Sequence, residues 1–179
     1  MIAGEFRSRV LKTVPGPDVR PTPDCLREAL FNILAPHLPR CVFLDAYAGS
    51  GSVGIEALSR GAARAVFIEN SKEALAVLDA NLKSLGVLER SSVMRGGVRK
   101  KMLPDLADLV FLDPPYHLEK EYALVLGALE TDTRARIVIA QHSVRNAIAD
   151  EYGQLKKYRE LRQGESVLSF FRPARLGNE

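Results

Sequence analysis

Four consecutive residues, Asp113-Pro114-Pro115-Tyr116, carry the sharpest chemical signal in the chain. They follow Val110-Phe111-Leu112, an apolar run that predicts a buried strand feeding directly into them. Two prolines stiffen the exit from that strand and withhold two N–H donors. The Asp113 carboxylate and the Pro114 carbonyl can then face a cleft as a pair of acceptors. An exocyclic amine on guanine or adenine offers two N–H donors to such a pair. Its lone pair is delocalised into the ring and is a poor nucleophile. Holding both N–H groups out of the ring plane localises that lone pair, so catalysis would rest largely on positioning and electrostatics. Tyr116 can stack on a base that has been flipped out. The plainer alternative is a strand-terminating turn with a capping Asp. By itself the tetrad leaves guanine and adenine both open.

A second group lies earlier, at Ala48-Gly49-Ser50-Gly51-Ser52-Val53-Gly54, between an expected strand and an expected helix. Glycines there permit positive φ and close approach of backbone to a ligand. The helix start adds oriented N–H donors. Glu69, twenty positions after Gly49, ends the next strand and could accept hydrogen bonds from both hydroxyls of a ribose. The same spacing fits a dinucleotide fingerprint. Asp45 separates the two readings. Beside a pyrophosphate its carboxylate would be repelled by about 1–4 kcal/mol at surface-like dielectric. Towards the methionyl ammonium of S-adenosylmethionine the same charge attracts, so Asp45 favours the methyl donor.

The elements that must position these groups alternate along the chain. Thr22 followed by Pro23 reads as a helix start, Thr as N-cap and Pro at the first helical position, with the helix running to about Leu34 and Pro36 stopping it. Strands are expected at Cys41–Ala46, Arg64–Glu69, Ser91–Arg95, Leu109–Leu112 and Arg136–Ala140. Helices are expected at Ser52–Arg60, from Ser71 to Gly86, and at Glu119–Glu130. Leu155–Leu161 and Ser166–Phe171, joined by a turn at Gly164, read as a closing hairpin. Apolar strands alternating with helices predict a parallel, doubly wound α/β sheet. With the antiparallel hairpin at its edge it is the Rossmann-like class I methyltransferase architecture, a mostly parallel seven-stranded sheet with helices on both faces. Residues 2–6 and 9–13 are expected to form a short N-terminal hairpin. One domain is expected over 1–179, with 1–22 as that extension and 23–179 as the catalytic core.

Composition sets the remaining bounds. A chain of 179 residues with 46% hydrophobic and 26% charged residues has enough to bury a core of ordinary size. No apolar run approaches a membrane span, and the N-terminus lacks the apolar region of a signal peptide, so a cytoplasmic location is expected. Cys25 and Cys41 show no metal-ligand spacing, and no metal is expected. Net charge is +3, and its clusters at Arg90–Lys101, at Lys156, Lys157, Arg159 and Arg162, and at Arg7, Arg9, Lys12 and Arg20 could meet phosphates. His37 reads as a surface residue and His142 as a structural one, whereas His117 adjoins the tetrad and could contact substrate.

These residues carry a specific likeness. The sequence resembles the RsmD family of bacterial small-subunit ribosomal RNA guanine-N2 methyltransferases. The likeness spans nearly the whole chain: Ile2-Ala3-Gly4 with Arg7-Ser8-Arg9, then Arg20-Pro21-Thr22-Pro23-Asp24 and Arg27-Glu28-Ala29-Leu30-Phe31-Asn32-Ile33-Leu34. It continues through Leu44-Asp45-Ala46-Tyr47-Ala48-Gly49-Ser50-Gly51, Glu56-Ala57-Leu58-Ser59-Arg60-Gly61-Ala62 and the tetrad, and ends at Leu168-Ser169-Phe170-Phe171. The resemblance implies methyl transfer from S-adenosylmethionine to the N2 amine of a guanine in small-subunit rRNA, within an assembled or assembling subunit. It implies that Asp113, Pro114 and Tyr116 face the target base. Asp45, Ala48, Gly49, Gly51, Glu69, Asn70 and Gly97 form the expected cofactor set, and Arg7, Arg9, Arg20, Arg27 and His117 the expected RNA contacts. Two departures stand out. Many members carry Gly-Asp after the third strand, where the Asp contacts the adenine amine, but this chain has Gly96-Gly97. Cys25 occupies a position where a basic residue is common. Three other readings compete: an adenine-N6 methyltransferase, a nucleotide-binding module without catalysis, and a dinucleotide oxidoreductase.

Overall fold

The computed structural model describes residues 1–15, 22–98, 107–115, 120–129, 134–146 and 148–174. One sheet of eight strands has the order β3-β2-β1-β4-β5-β8-β7-β6. β1 (Val42–Asp45), β2 (Arg64–Glu69), β3 (Ser91–Arg95), β4 (Leu109–Leu112) and β5 (Ile137–Ser143) run parallel. β8 (Ser166–Pro173) turns back antiparallel onto β5, and β7 (Leu155–Gln163) and the two-residue β6 (Glu151–Tyr152) continue the antiparallel edge. β6 makes eight strands where the sequence predicts seven.

Strand alternation divides the core into two layers. On one face Phe43, Leu109, Phe111, Ile137, Ile139, Leu168 and Phe170 pack under α1 (Asp24–Leu34), which buries Leu26, Leu30, Phe31 and Leu34. The same face continues at β2, where Ala65 and Phe67 meet Ile55 and Leu58 of α2 (Ser52–Ser59) and Leu78 and Leu82 of α3 (Lys72–Leu85). On the other face Leu44, Val66, Ile68, Val110, Leu112, Val138 and Ala140 pack against Tyr122, Val125 and Leu126 of α4 (Lys120–Ala128). Each such Leu or Phe contributes about 1.5–3 kcal/mol on burial. Ser71 caps α3, its hydroxyl accepting from the Ala74 N–H at 3.2 Å, and Gly86 ends that helix at φ 68°.

Two local expectations are corrected. The expected hairpin at residues 2–6 and 9–13 is absent: residues 3–8 form turns, and no strand occurs among residues 1–15. The segment instead spends its N–H groups on α2. Ile2 and Ala3 donate to the Glu56 carboxylate at 3.0 Å each, Phe6 donates to Ser59 Oγ at 2.9 Å, and the Phe6 ring joins the core beneath. Glu56 is fully buried and also accepts from Arg60 Nε at 2.7 Å. A strand pair would have left this buried carboxylate without its two amide donors. Thr22 does not cap α1 either. The N-cap is Pro23, with no side-chain cap, and the buried Thr22 hydrogen-bonds Asp113 instead.

Candidate active site at the sheet edge

Continuing the α1–α3 face past its apolar residues brings four polar side chains to the carboxyl ends of adjacent strands. Glu69 follows Phe67, Asp45 follows Phe43, Asp113 follows Phe111, and Gln141 follows Ile139, each two residues on and therefore on the same side. In doubly wound sheets this edge is where ligands bind.

Each carboxylate is held by backbone or side-chain donors. Glu69 Oε2 accepts from the Gly49 N–H at 2.8 Å, and its Oε1 accepts from the Asn70 and Ser71 N–H groups at the same distance. Asp45 Oδ2 accepts from the Gly54 N–H at 2.9 Å, at the start of α2. Asp113 takes a hydrogen bond from Thr22 and another from Gln141 Nε2, the latter at 3.1 Å. These contacts do not offset burial and mutual repulsion. Burial pushes Asp45 up to about 7, and the Glu69 charge adds to the rise, against the Gly54 hydrogen bond. Burial also pushes Asp113 up to about 7, with the Asp45 charge second and the Thr22 hydrogen bond opposing. A row of carboxyls poised to ionise near neutrality suits a cationic ligand.

The glycines divide by task. At Gly49, φ is 53° and a Cβ would meet no atom within 4 Å, so the turn is open on the side a ligand would use. At Gly51, φ is 82° and a Cβ would lie 2.4 Å from Leu78 Cδ1, so this glycine permits the packing of α2 against α3. Gly54 likewise lies against the Phe67 ring. Two of the three glycines of the fingerprint are therefore explained by helix packing.

The other expected site residues fall as follows. Ala48 is buried, its N–H donating to the Ile68 carbonyl at 3.0 Å. Asn70 is exposed beside Glu69, and Gly97 is exposed with open space where a side chain would project. Pro114 is buried directly after Asp113. Tyr116, His117 and Arg20 lie outside the described residues. Arg7 and Arg9 are exposed on the N-terminal segment. Arg27 is buried, with Nη2 2.8 Å from Asp24 Oδ1 and Nε without a partner among the described residues. His142 lies on the opposite face of β5 from Gln141, with Nε2 2.9 Å from Ser169 Oγ. Half-buried His37 has its pKa lowered by burial and by Arg172 and Arg136. Cys41 is buried, and burial raises its thiol to about 11, while Cys25 is exposed.

Charge clusters visible in the sequence shrink once side chains find partners. Arg90 binds Glu5 Oε2 at 2.9 Å and the Leu58 and Ala62 carbonyls, tying the N-terminal segment to α2. Lys157 pairs with Asp150 and Glu160, and Lys156 with Glu151. The β7 cluster is therefore answered by three acids rather than by Glu160 alone. Gln141 and the Thr22 contact are the two features that the sequence reading omits. The available signal for Gln141 was its polarity in an apolar strand, at the parity of Asp113.

Comparison with known proteins follows the same lines. The family model described as Conserved hypothetical protein 95 matches residues 1–172. YlbH of Bacillus subtilis (strain 168), a candidate rRNA methyltransferase by its name, is 30% identical over 182 aligned residues, spanning 96% of this chain and 97% of that protein. Ribosomal RNA small subunit methyltransferase D of Escherichia coli (strain K12) is 40% identical over 122 residues, 65% of this chain and 59% of that one. The structure of the Escherichia coli protein yhhF, a candidate methyltransferase, superposes with a TM-score of 0.84 at 29% identity, covering 97% of both chains. An RNA methyltransferase from Salinibacter ruber, solved with S-adenosyl-L-homocysteine, shares the fold at TM-score 0.66 and 16% identity.

Proposed function

The chain belongs to the Conserved hypothetical protein 95 family, the RsmD family, and on that premise we propose that it transfers a methyl group from S-adenosylmethionine to the N2 amine of a guanine in small-subunit rRNA. The observation that carries the reading is the row Glu69, Asp45 and Asp113 on one face of the sheet edge, beside the open turn at Gly49.

The residues present fit such a donor. Asp45 is buried and ionises near neutrality, which matches a ligand bearing an ammonium group. Glu69 still has acceptor capacity, because each carboxylate oxygen has two lone-pair sites and its Oε2 uses one on Gly49. Gly49 leaves room for close approach. When bound, the cofactor supplies an electrophilic methyl on sulfur. Asp45 would hold the ammonium end and Glu69 the ribose.

Asp113 and the Pro114 carbonyl would accept the two N–H groups of the target amine. The nitrogen lone pair forms the new N–C bond as the methyl–sulfur bond breaks, and the electron pair of that bond stays on sulfur. The methylated nitrogen becomes strongly acidic and loses one proton, for which Asp113, with its raised pKa, is a competent acceptor. No separate base is required. Charged and polar groups already in place would supply most of the rate enhancement.

The test is transfer of tritiated methyl groups to small ribosomal subunits from a strain lacking the homologous enzyme, followed by nucleoside mass analysis. N2-methylguanosine is the expected product. N6-methyladenosine would replace this reading with the adenine one.

A further inference from the structure

Gln141 is the fourth side chain of the polar row. Ile137, Ile139 and Gln141 share a face of β5, and the register Leu112↔Ala140 sets Asp113 beside Gln141. A leucine would continue that apolar run at no polar cost. The amide found there is only 5% exposed. Its Nε2 donates to Asp113 Oδ2, and its Oε1 has no partner among the described residues. A buried acceptor left unsatisfied costs about 1–3 kcal/mol, which core packing does not explain. The backbone beneath it is anchored, because the Tyr122 hydroxyl donates to the Gln141 carbonyl at 2.6 Å.

We propose, resting on the methyl-transfer reading of Asp113, that Gln141 is a positioning residue: its amide fixes the plane of the Asp113 carboxylate so that the remaining acceptor sites face the target amine. A carboxylate has about four such sites. Gln141 and Thr22 occupy two of them from within the protein. Gln141 also suits both states of Asp113. Its N–H meets the carboxylate, and the same amide turned over would offer Oε1 to a carboxylic O–H. The unsatisfied oxygen is thus the second half of a two-state partner. The ionisable groups that bear on Asp113 are Asp45 on β1, with Glu69 behind it on β2, and Arg27 with Asp24 on the helix covering this face. His142 lies on the other side of β5.

The test uses the full chain with Q141L and Q141E. Carboxyl carbon-13 NMR follows the titration of Asp113 and needs no substrate. In Q141L the Asp113 midpoint should rise, because a donor to the ionised form is lost. In Q141E it should rise further, because a second carboxyl faces the first. With subunits as substrate, Q141L should lower kcat roughly tenfold while KM for subunits and cofactor affinity stay within about twofold. The acid limb of its kcat profile should move up with the NMR midpoint. If Q141L does not fold, the Q141E titration decides. An unshifted Asp113 midpoint overturns the proposal, as does a shifted midpoint with unchanged kcat. A shifted midpoint together with a parent enzyme that forms no N2-methylguanosine would instead sink the methyl-transfer reading.

Discussion

Asp45→Asn is the most informative single substitution in the polar row. Asn has the shape of the protonated acid and keeps an acceptor for the Gly54 N–H, so the packing around a 2% exposed side chain is preserved. What it removes is the cost of ionising a buried acid. The folded pKa of about 7 lies above the ordinary value of 3.8. The unfolded chain therefore releases its proton first as pH rises. The penalty on folding is absent below pH 3.8, grows between the two values, and is complete above about 7. At 1.36 kcal/mol per pKa unit the full penalty is about 4 kcal/mol, and at pH 5 it is only about 1.5 kcal/mol. Asp45→Asn should therefore be more stable than the parent by about 4 kcal/mol at pH 8, with the advantage shrinking steadily towards pH 4. Loss of the Asp45 charge also lowers the pKa of Asp113, which acts in the same direction. Urea denaturation at a series of pH values measures this directly. A constant offset between variant and parent at every pH would refute the reasoning. So would a variant less stable than the parent at pH 8. The gain should come with a loss of cofactor affinity of roughly tenfold to a hundredfold, because an ionic hydrogen bond to the ligand is gone.

Three further outcomes are expected. Asp113→Ala should bind cofactor within a few-fold of the parent by calorimetry and lose turnover by about 10²–10³-fold; unchanged turnover would remove Asp113 from the chemistry. Gly97→Asp places a carboxylate into open space and should tighten cofactor binding by roughly tenfold, whereas weaker binding would show that Gly97 does not face the adenine. Glu56→Ala strips the Ile2 and Ala3 N–H groups and Arg60 of their buried partner, and should cost about 3–5 kcal/mol and expose residues 1–12 to limited proteolysis. Resistance of that segment to protease would contradict its docking.

Much of this arrangement can be read in the sequence, for identifiable reasons. Long apolar strands and capped helices are local signals, so Arg64–Glu69, Ser91–Arg95 and Leu109–Leu112 have the bounds that the pattern predicts, and Ser71 and Gly86 close α3 as expected. Asp45, Glu69 and Asp113 are legible because each ends such a strand. The errors arise where a distant partner decides. Thr22 before Pro23 looks like a cap, but a buried carboxylate on another element takes its hydroxyl. Residues 2–13 have the alternation of a hairpin, but Glu56 and Asn81 take their N–H groups. Gly51 and Gly54 look like a ligand loop, and the Leu78 and Phe67 side chains explain them instead. Gln141 escapes notice because its meaning depends on strand pairing, which one strand's sequence does not contain.

The placement of β8 has a consequence for synthesis. The last strand made is an interior strand, inserted between β5 and β7, and it covers the flank of a β5 whose first six residues are buried. A nascent chain that has emerged only as far as Gln163 would expose β5 as a long apolar edge, the kind that recruits strands from other chains. Pairing between β5 and a strand so late in the chain also carries a loop-closure cost that slows folding. The polar row would therefore gain its rigid support late, after Leu168 and Phe170 close over the sheet, and an expression strategy that slows translation near the end of the message should reduce aggregation more than one that slows it at the start.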